Sequence, residues 1–92
     1  MRSKIEVFTS PTCPHCPSAV NVARQVEENR DDVKVVETST GSSSGQKRAQ
    51  RFGVRSVPMV FVTGPEEGIG FRGTPMRQKL ERAVDVSLGL AE

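Results

Sequence analysis

The sequence has no tryptophan and no tyrosine, only 4 phenylalanines, and a net charge of +2 from 13 Lys and Arg against 11 Asp and Glu. Proteins that bind nucleic acid stack bases on aromatic rings and meet phosphates with a clustered excess of cations. This chain is poor in both, which argues against nucleic acid as a partner. Long apolar runs are missing as well: the longest covers residues 57–62 and is broken by Pro58, whereas a membrane span needs roughly 18 apolar residues. Near the N-terminus Glu6 interrupts the apolar residues, so no secretory signal is expected within this sequence, since one would show an apolar stretch of roughly 7 to 15 residues before a small-residue cleavage site. A soluble, cytoplasmic protein with no membrane partner is expected.

Cysteine is scarce too. The two present, Cys13 and Cys16, lie three positions apart and would close a loop too small to constrain an unfolded chain. They are not the staples of a secreted mini-protein. A length of 92 residues allows one domain, residues 1–92, and no second. Hydrophobic residues make up 35%, and adding 8 Gly brings the total to about 44%, a lean core by globular standards. No internal repeat and no heptad pattern is visible, and a monomer is expected.

Within those bounds the chain alternates between two periods. Lys4 to Phe8 alternates around Ile5 and Val7 until Ser10-Pro11-Thr12 stops it, which predicts a strand and a loop. From Pro14 onward Cys16, Ala19, Val20, Ala23 and Val26 recur at helical spacing. Pro14 suits a first helical position, where its missing N–H costs nothing, and that makes Cys13 the expected N-cap. Val33, Val35 and Val36 form a β-branched run. Residues 39–45 are all Ser, Thr and Gly and read as a flexible loop; residues 46–52 make about two polar helical turns, with Gly53 as the stop. Residues 59–62 and the pair Ile69 and Phe71 predict an antiparallel hairpin broken at Gly64-Pro65. Thr74-Pro75 then reads as an N-cap and first-position proline for a helix carrying Met76, Leu80, Ala83, Val84 and Leu88 and ending at Gly89. The order βαβαββα begins with a right-handed βαβ unit and ends with a hairpin. It predicts an α/β fold, a four-stranded mixed sheet flanked by three helices.

Attack on a disulfide needs a thiolate, and a helix N-terminus lowers a cysteine pKa by its positive potential. Cys13 at an N-cap would be exposed and activated, and Cys16, one turn deeper, sheltered within bonding reach. His15, when protonated, adds positive charge; both effects favour thiolate and make the disulfide more oxidising. Pro17, at the fourth position of the predicted helix, would remove an N–H and distort the first turn.

Cys13-Pro14-His15-Cys16 after a first strand, followed by Val57-Pro58 before an apolar strand, resembles the thioredoxin superfamily, and most closely its small glutaredoxin-like members. The likeness runs from Ile5 through the last helix. It implies a thioredoxin-like fold and a dithiol-disulfide oxidoreductase with Cys13 as nucleophile, Cys16 as the resolving thiol, and a cis Pro58 facing the pair while the Val57 backbone pairs with substrate. The chain differs from full-length thioredoxins at Thr12, where they carry Trp, and at His15, where they carry Pro. Val7 stands where they place a buried acid, which leaves the proton acceptor for Cys16 to water, His15 or another group. Ser56-Val57-Pro58 and Gly73-Thr74-Pro75 stand where glutathione-using glutaredoxins show Thr-Val-Pro and Gly-Gly with an acid. The CPHC tetrapeptide is similar to that of periplasmic disulfide oxidants, whose extra helical domain 92 residues cannot hold.

The expected site therefore comprises Cys13, Pro14, His15 and Cys16, with Thr12, Arg55, Ser56, Val57, Pro58, Gly73 and Thr74 toward the substrate. His15 is read as an exposed tuning residue rather than a general base. Lys47, Arg48, Arg51 and Arg55, with no acid among residues 46–57, form either a solvated helix surface or a basic rim that steers acidic partners or the carboxylates of a small thiol. Expected partners are disulfide-bearing proteins or small thiols, together with an upstream reductase or thiol reductant. No cofactor and no metal is required. The rival reading is a metal or iron–sulfur carrier, in which the same cysteines act across a dimer, because tetrahedral zinc takes four ligands and one chain offers two Cys and one His.

Overall fold

A computed structural model describes residues 2–90. In chain order the elements are β1 (Ser3–Thr9), α1 (Cys16–Glu28), β2 (Val33–Ser39), α2 (Ser43–Arg51), β3 (Met59–Thr63), β4 (Gly68–Arg72) and α3 (Arg77–Ser87). The strands form one sheet in the order β2-β1-β3-β4. β1 runs parallel to β2, with Val7 opposite Glu37, and antiparallel to β3, with Val7 opposite Val60. β3 and β4 make the antiparallel hairpin. The thioredoxin-like α/β arrangement expected from the βαβαββα order is the one observed.

Alternation along the strands divides the side chains between two faces. Ile5 and Val7 of β1, Val33 and Val35 of β2, and Val60 and Val62 of β3 pack with Ala19, Ala23 and Val26 of α1 and Leu80, Ala83 and Val84 of α3 in one core. On the other face Phe8 meets Phe52 and Phe61, with ring centroids 5.8 Å away in each case. Arg48 of α2 lies over the Phe52 ring at 5.0 Å. The lean apolar content is thus concentrated on the α1/α3 side, while an aromatic trio and charged groups serve the α2 side.

Three helix starts differ from the sequence expectation, each for a local reason. α1 begins at Cys16 with His15 as N-cap, so Cys13 is not the N-cap and Pro14 is not the first helical residue. Pro17 explains the shift: starting later places it in the first turn, where N–H groups have no helical partner, instead of where a bond would be lost. No distortion is then required of the turn. α2 begins at Ser43, inside the segment expected to be loop, because the Ser42 hydroxyl accepts from the Gly45 N–H at 3.0 Å and caps it. It stops where expected, with Gly53 at φ +70°. α3 begins at Arg77 with Met76 as N-cap, two residues later than the Thr74-Pro75 signal implies. Met76 consequently leaves the apolar face and is 64% exposed, and the buried residue at this entry is Pro75.

Candidate active site

The end of β1 and the start of α1 are joined by a tight turn in which the Cys13 N–H donates to the Ser10 carbonyl at 3.1 Å. Ser10 Oγ also accepts from the Thr12 N–H at 3.3 Å. This turn carries Cys13 to the helix entrance, where it forms a disulfide with Cys16 across a Cα–Cα distance of 5.5 Å. The two sulfurs are not equivalent: Cys13 is half-buried, whereas Cys16 faces the core and is 4% exposed. Pro14 and His15 are exposed between them. Although Cys13 is not the N-cap, it stands two residues before it, at the positive end of α1.

The other segment expected at the site is the entry to β3. The Val57-Pro58 peptide bond is cis, Pro58 is buried and Val57 half-buried. The Gly73 N–H donates to the Pro58 carbonyl at 2.9 Å, with Gly73 at φ +83°, a left-handed conformation suited to glycine. That bond brings the end of β4 to the proline. Thr74 follows in exposed chain, as Thr12, Arg55 and Ser56 also lie in exposed chain.

Two clefts flank these elements and share Ser10. One, of about 390 Å³, is lined by both cysteines with Thr9, Pro11, Pro17, Val20, Asn21 and Glu37. The other, of about 310 Å³, lies between α2 and the β3 entry and is lined by Gln46, Gln50, Arg55, Ser56 and Val57 among others. Sequence reasoning missed Ser10, Glu37, Gln46 and Gln50. The two glutamines carry a faint signal, a spacing of four on a polar helix; Glu37 carries none, since only the strand register brings it beside α1.

The basic segment divides. Arg48 is no rim charge: its Nε and Nη2 bind the Glu6 carboxylate, Nη2 at 2.8 Å. Lys47 and Arg51 line a shallow groove on α2, and Arg55 lies on the cleft beside Val57. Among the described residues no group of three or more His, Cys, Asp or Glu side chains is placed to hold a metal ion. No described helix is long and apolar enough to cross a membrane.

Comparison with known proteins agrees with this geometry. Residues 5–65 match the glutaredoxin family model. The chain is 38% identical over 81 residues to a thioredoxin of Methanocaldococcus jannaschii, covering 88% of this chain and 91% of that one. It is 35% identical over the same length to a probable thioredoxin of Methanothermobacter marburgensis, with the same coverage. Among solved structures, a mutant thioredoxin from Halobacterium salinarum superposes with a TM-score of 0.82 at 20% identity, over 98% of this chain and 78% of that one. The chain belongs to the thioredoxin superfamily, carries the glutaredoxin family's domain over residues 5–65, and is a dithiol-disulfide oxidoreductase.

Proposed function

We propose that Cys13 is the nucleophile and Cys16 the resolving thiol of this oxidoreductase. The Cys13 thiolate attacks a substrate disulfide, one substrate thiolate leaves, and a mixed disulfide forms on Cys13. Cys16 then attacks the Cys13 sulfur, expels the second substrate thiol, and closes the Cys13–Cys16 disulfide, which an upstream reductase or thiol reductant reopens. The single observation that carries the assignment is the unequal burial of the pair, with Cys13 half-buried and Cys16 at 4% exposure. In this reading an incoming disulfide meets the more exposed cysteine.

Substrates in this reading are disulfide-bearing proteins or small thiols. Val57, at the cis peptide bond beside the α2 cleft, offers backbone groups for an added strand of substrate. Ser56 lines that cleft; in this reading Thr12, Pro14, Pro58, Gly73 and Thr74 complete the face that meets substrate, and His15 tunes the pair. Arg55, with Lys47 and Arg51 farther along α2, favours carboxylates near the entering sulfur. The cytoplasm, where reductants keep such a dithiol open, is the proposed location.

Single-turnover reaction with a disulfide peptide tests the roles. Cys13→Ser should abolish turnover, and Cys16→Ser should accumulate a mixed disulfide on Cys13, visible by mass spectrometry. Full activity in Cys13→Ser would refute the assignment.

A further inference from the structure

A buried thiol resists ionisation, yet Cys16 must become a thiolate before it can attack. Where does its proton go? Among the described residues three groups come into question: Glu6, His15 and Glu37. Glu6 is 3% exposed, but it belongs to the opposite sheet face, engaged by Arg48 and Thr38. His15 is exposed on the outer side of the turn. Glu37 remains. It lines the same cleft as Cys13 and Cys16, and it is the β2 partner of Val7, whose side chain belongs to the α1 core. Parallel partners point to the same side of a sheet, so Glu37 faces α1 and the cysteine pair's helix.

Its carboxylate is also held. Arg24 Nη2 donates to Glu37 Oε2 at 3.1 Å, while Arg24 Nη1 donates to Glu27 Oε1 at 3.0 Å. Glu27 Oε2 accepts from the Val35 N–H at 2.8 Å. This chain of bonds starts on β2, crosses α1 and returns to β2 two residues away, orienting the carboxylate of Glu37, which is one of the residues lining the cleft. Oε1 is left for a proton. The cleft, about 390 Å³, is wide enough for solvent to bridge carboxylate and thiol.

We propose that Glu37 is the proton acceptor for Cys16 in the resolving step. The proposal rests on the roles given above to Cys13 and Cys16. The Cys16 proton passes through cleft solvent to the Glu37 carboxylate; the Cys16 thiolate attacks the Cys13 sulfur; the bond from Cys13 to the substrate sulfur breaks as the Cys13–Cys16 bond forms. The departing thiolate takes a proton from Glu37 or from solvent, so the protein dithiol is oxidised and the substrate reduced. The groups that face Glu37 are Arg24 and Glu27 on α1, Arg48 across a groove from α2, and the two cysteines. β1 presents the uncharged Val7 beside it, and Lys34 lies farther back on β2.

Stopped-flow mixing of the reduced protein with the dinitrobenzoate disulfide reagent separates two releases of coloured thiolate, the first from attack by Cys13 and the second from resolution by Cys16. Glu37→Gln should slow the second release about tenfold below about pH 7, without slowing the first, and the deficit should vanish at higher pH as Cys16 ionises unaided. Glu37→Asp, which keeps the carboxylate, should restore much of the rate and its pH profile. A second release within about twofold of the parent at every pH would overturn the proposal, as would a deficit that does not change with pH. Cys16→Ser should release a single equivalent; two equivalents would remove the resolving role itself and the proposal with it.

Discussion

Arg48 on α2 grips Glu6 on β1 with two guanidinium nitrogens across 42 positions of sequence. Glu6 also accepts from Thr38 Oγ1 at 2.6 Å and lies 3.6 Å from Lys4 Nζ. One buried carboxylate therefore joins α2, β2 and the central strand on the face that has no aliphatic core.

Burial pushes the Glu6 carboxyl up, but the bonds from Arg48 and Thr38 and the charges of Lys4 and Arg48 outweigh it and hold the group below its ordinary 4.5. A carboxyl depressed in the folded state stabilises above its unfolded value and loses that contribution as pH falls through the folded one. Stability should therefore decline below about pH 4.5. Glu6→Gln should flatten this decline only in part, since Glu27 and Asp32 are depressed as well. Urea midpoints across that range measure it.

Arg48→Met leaves the Glu6 charge buried without its main partner, and the melting temperature should drop on the order of 5 °C at neutral pH. Adding Glu6→Gln to that variant should recover part of the loss, because an uncharged amide is less costly to bury. Lys47→Met, one residue away on the exposed side of α2, should change little. Equal losses from Arg48→Met and Lys47→Met would show that the pair contributes nothing special.

Gly45 has no room for a side chain. A Cβ there would lie 1.7 Å from the Ser39 carbonyl oxygen and 2.7 Å from its carbon. Both are backbone atoms and cannot swing aside. Gly45→Ala should cost roughly 1 to 3 kcal/mol and lower the melting temperature on the order of 10 °C. Ser42→Ala, which removes the cap on the same turn, should cost about 1 kcal/mol.

These residues show where the sequence was legible. The chain order of the elements and the four-stranded mixed sheet follow from the alternation around Ile5, the β-branched run at Val33, Val35 and Val36, the apolar run at 59–62, and a hairpin whose connection is short. The cysteine pair and Val57-Pro58 stand out in the sequence because together they carry the resemblance to the superfamily. Cap positions were less legible: Pro14 and Pro17 both suit the first turn of α1, and Pro75 suits that of α3 but precedes its Met76 cap. Ser42 as a cap is hidden in a run of serines. Glu6, Arg48 and Glu37 are illegible, because their partners are fixed by strand register and helix placement across 13 to 42 positions.

Pro17 gives the α1 boundary a direct test. At the first turn of α1 its missing N–H removes no helical bond, so Pro17→Ala should shift the melting temperature by less than about 4 °C. A helix starting at Pro14 would instead gain a bond on substitution and become distinctly more stable. Calorimetry of the two proteins separates these outcomes.

His15 bears on the potential of the couple. It is the N-cap of α1, placed between the two cysteines and exposed to solvent. In the proposed reading positive charge on this ring would add to that of the helix terminus, and both would favour the Cys13 thiolate, and so the reduced state, over the disulfide. His15→Pro removes the charge while keeping the helix entrance rigid. The couple should become more reducing by about 30 mV, which is a tenfold change in the exchange equilibrium constant. Equilibration with a thiol redox buffer measures the change, and an unchanged potential would assign the tuning to the helix terminus alone.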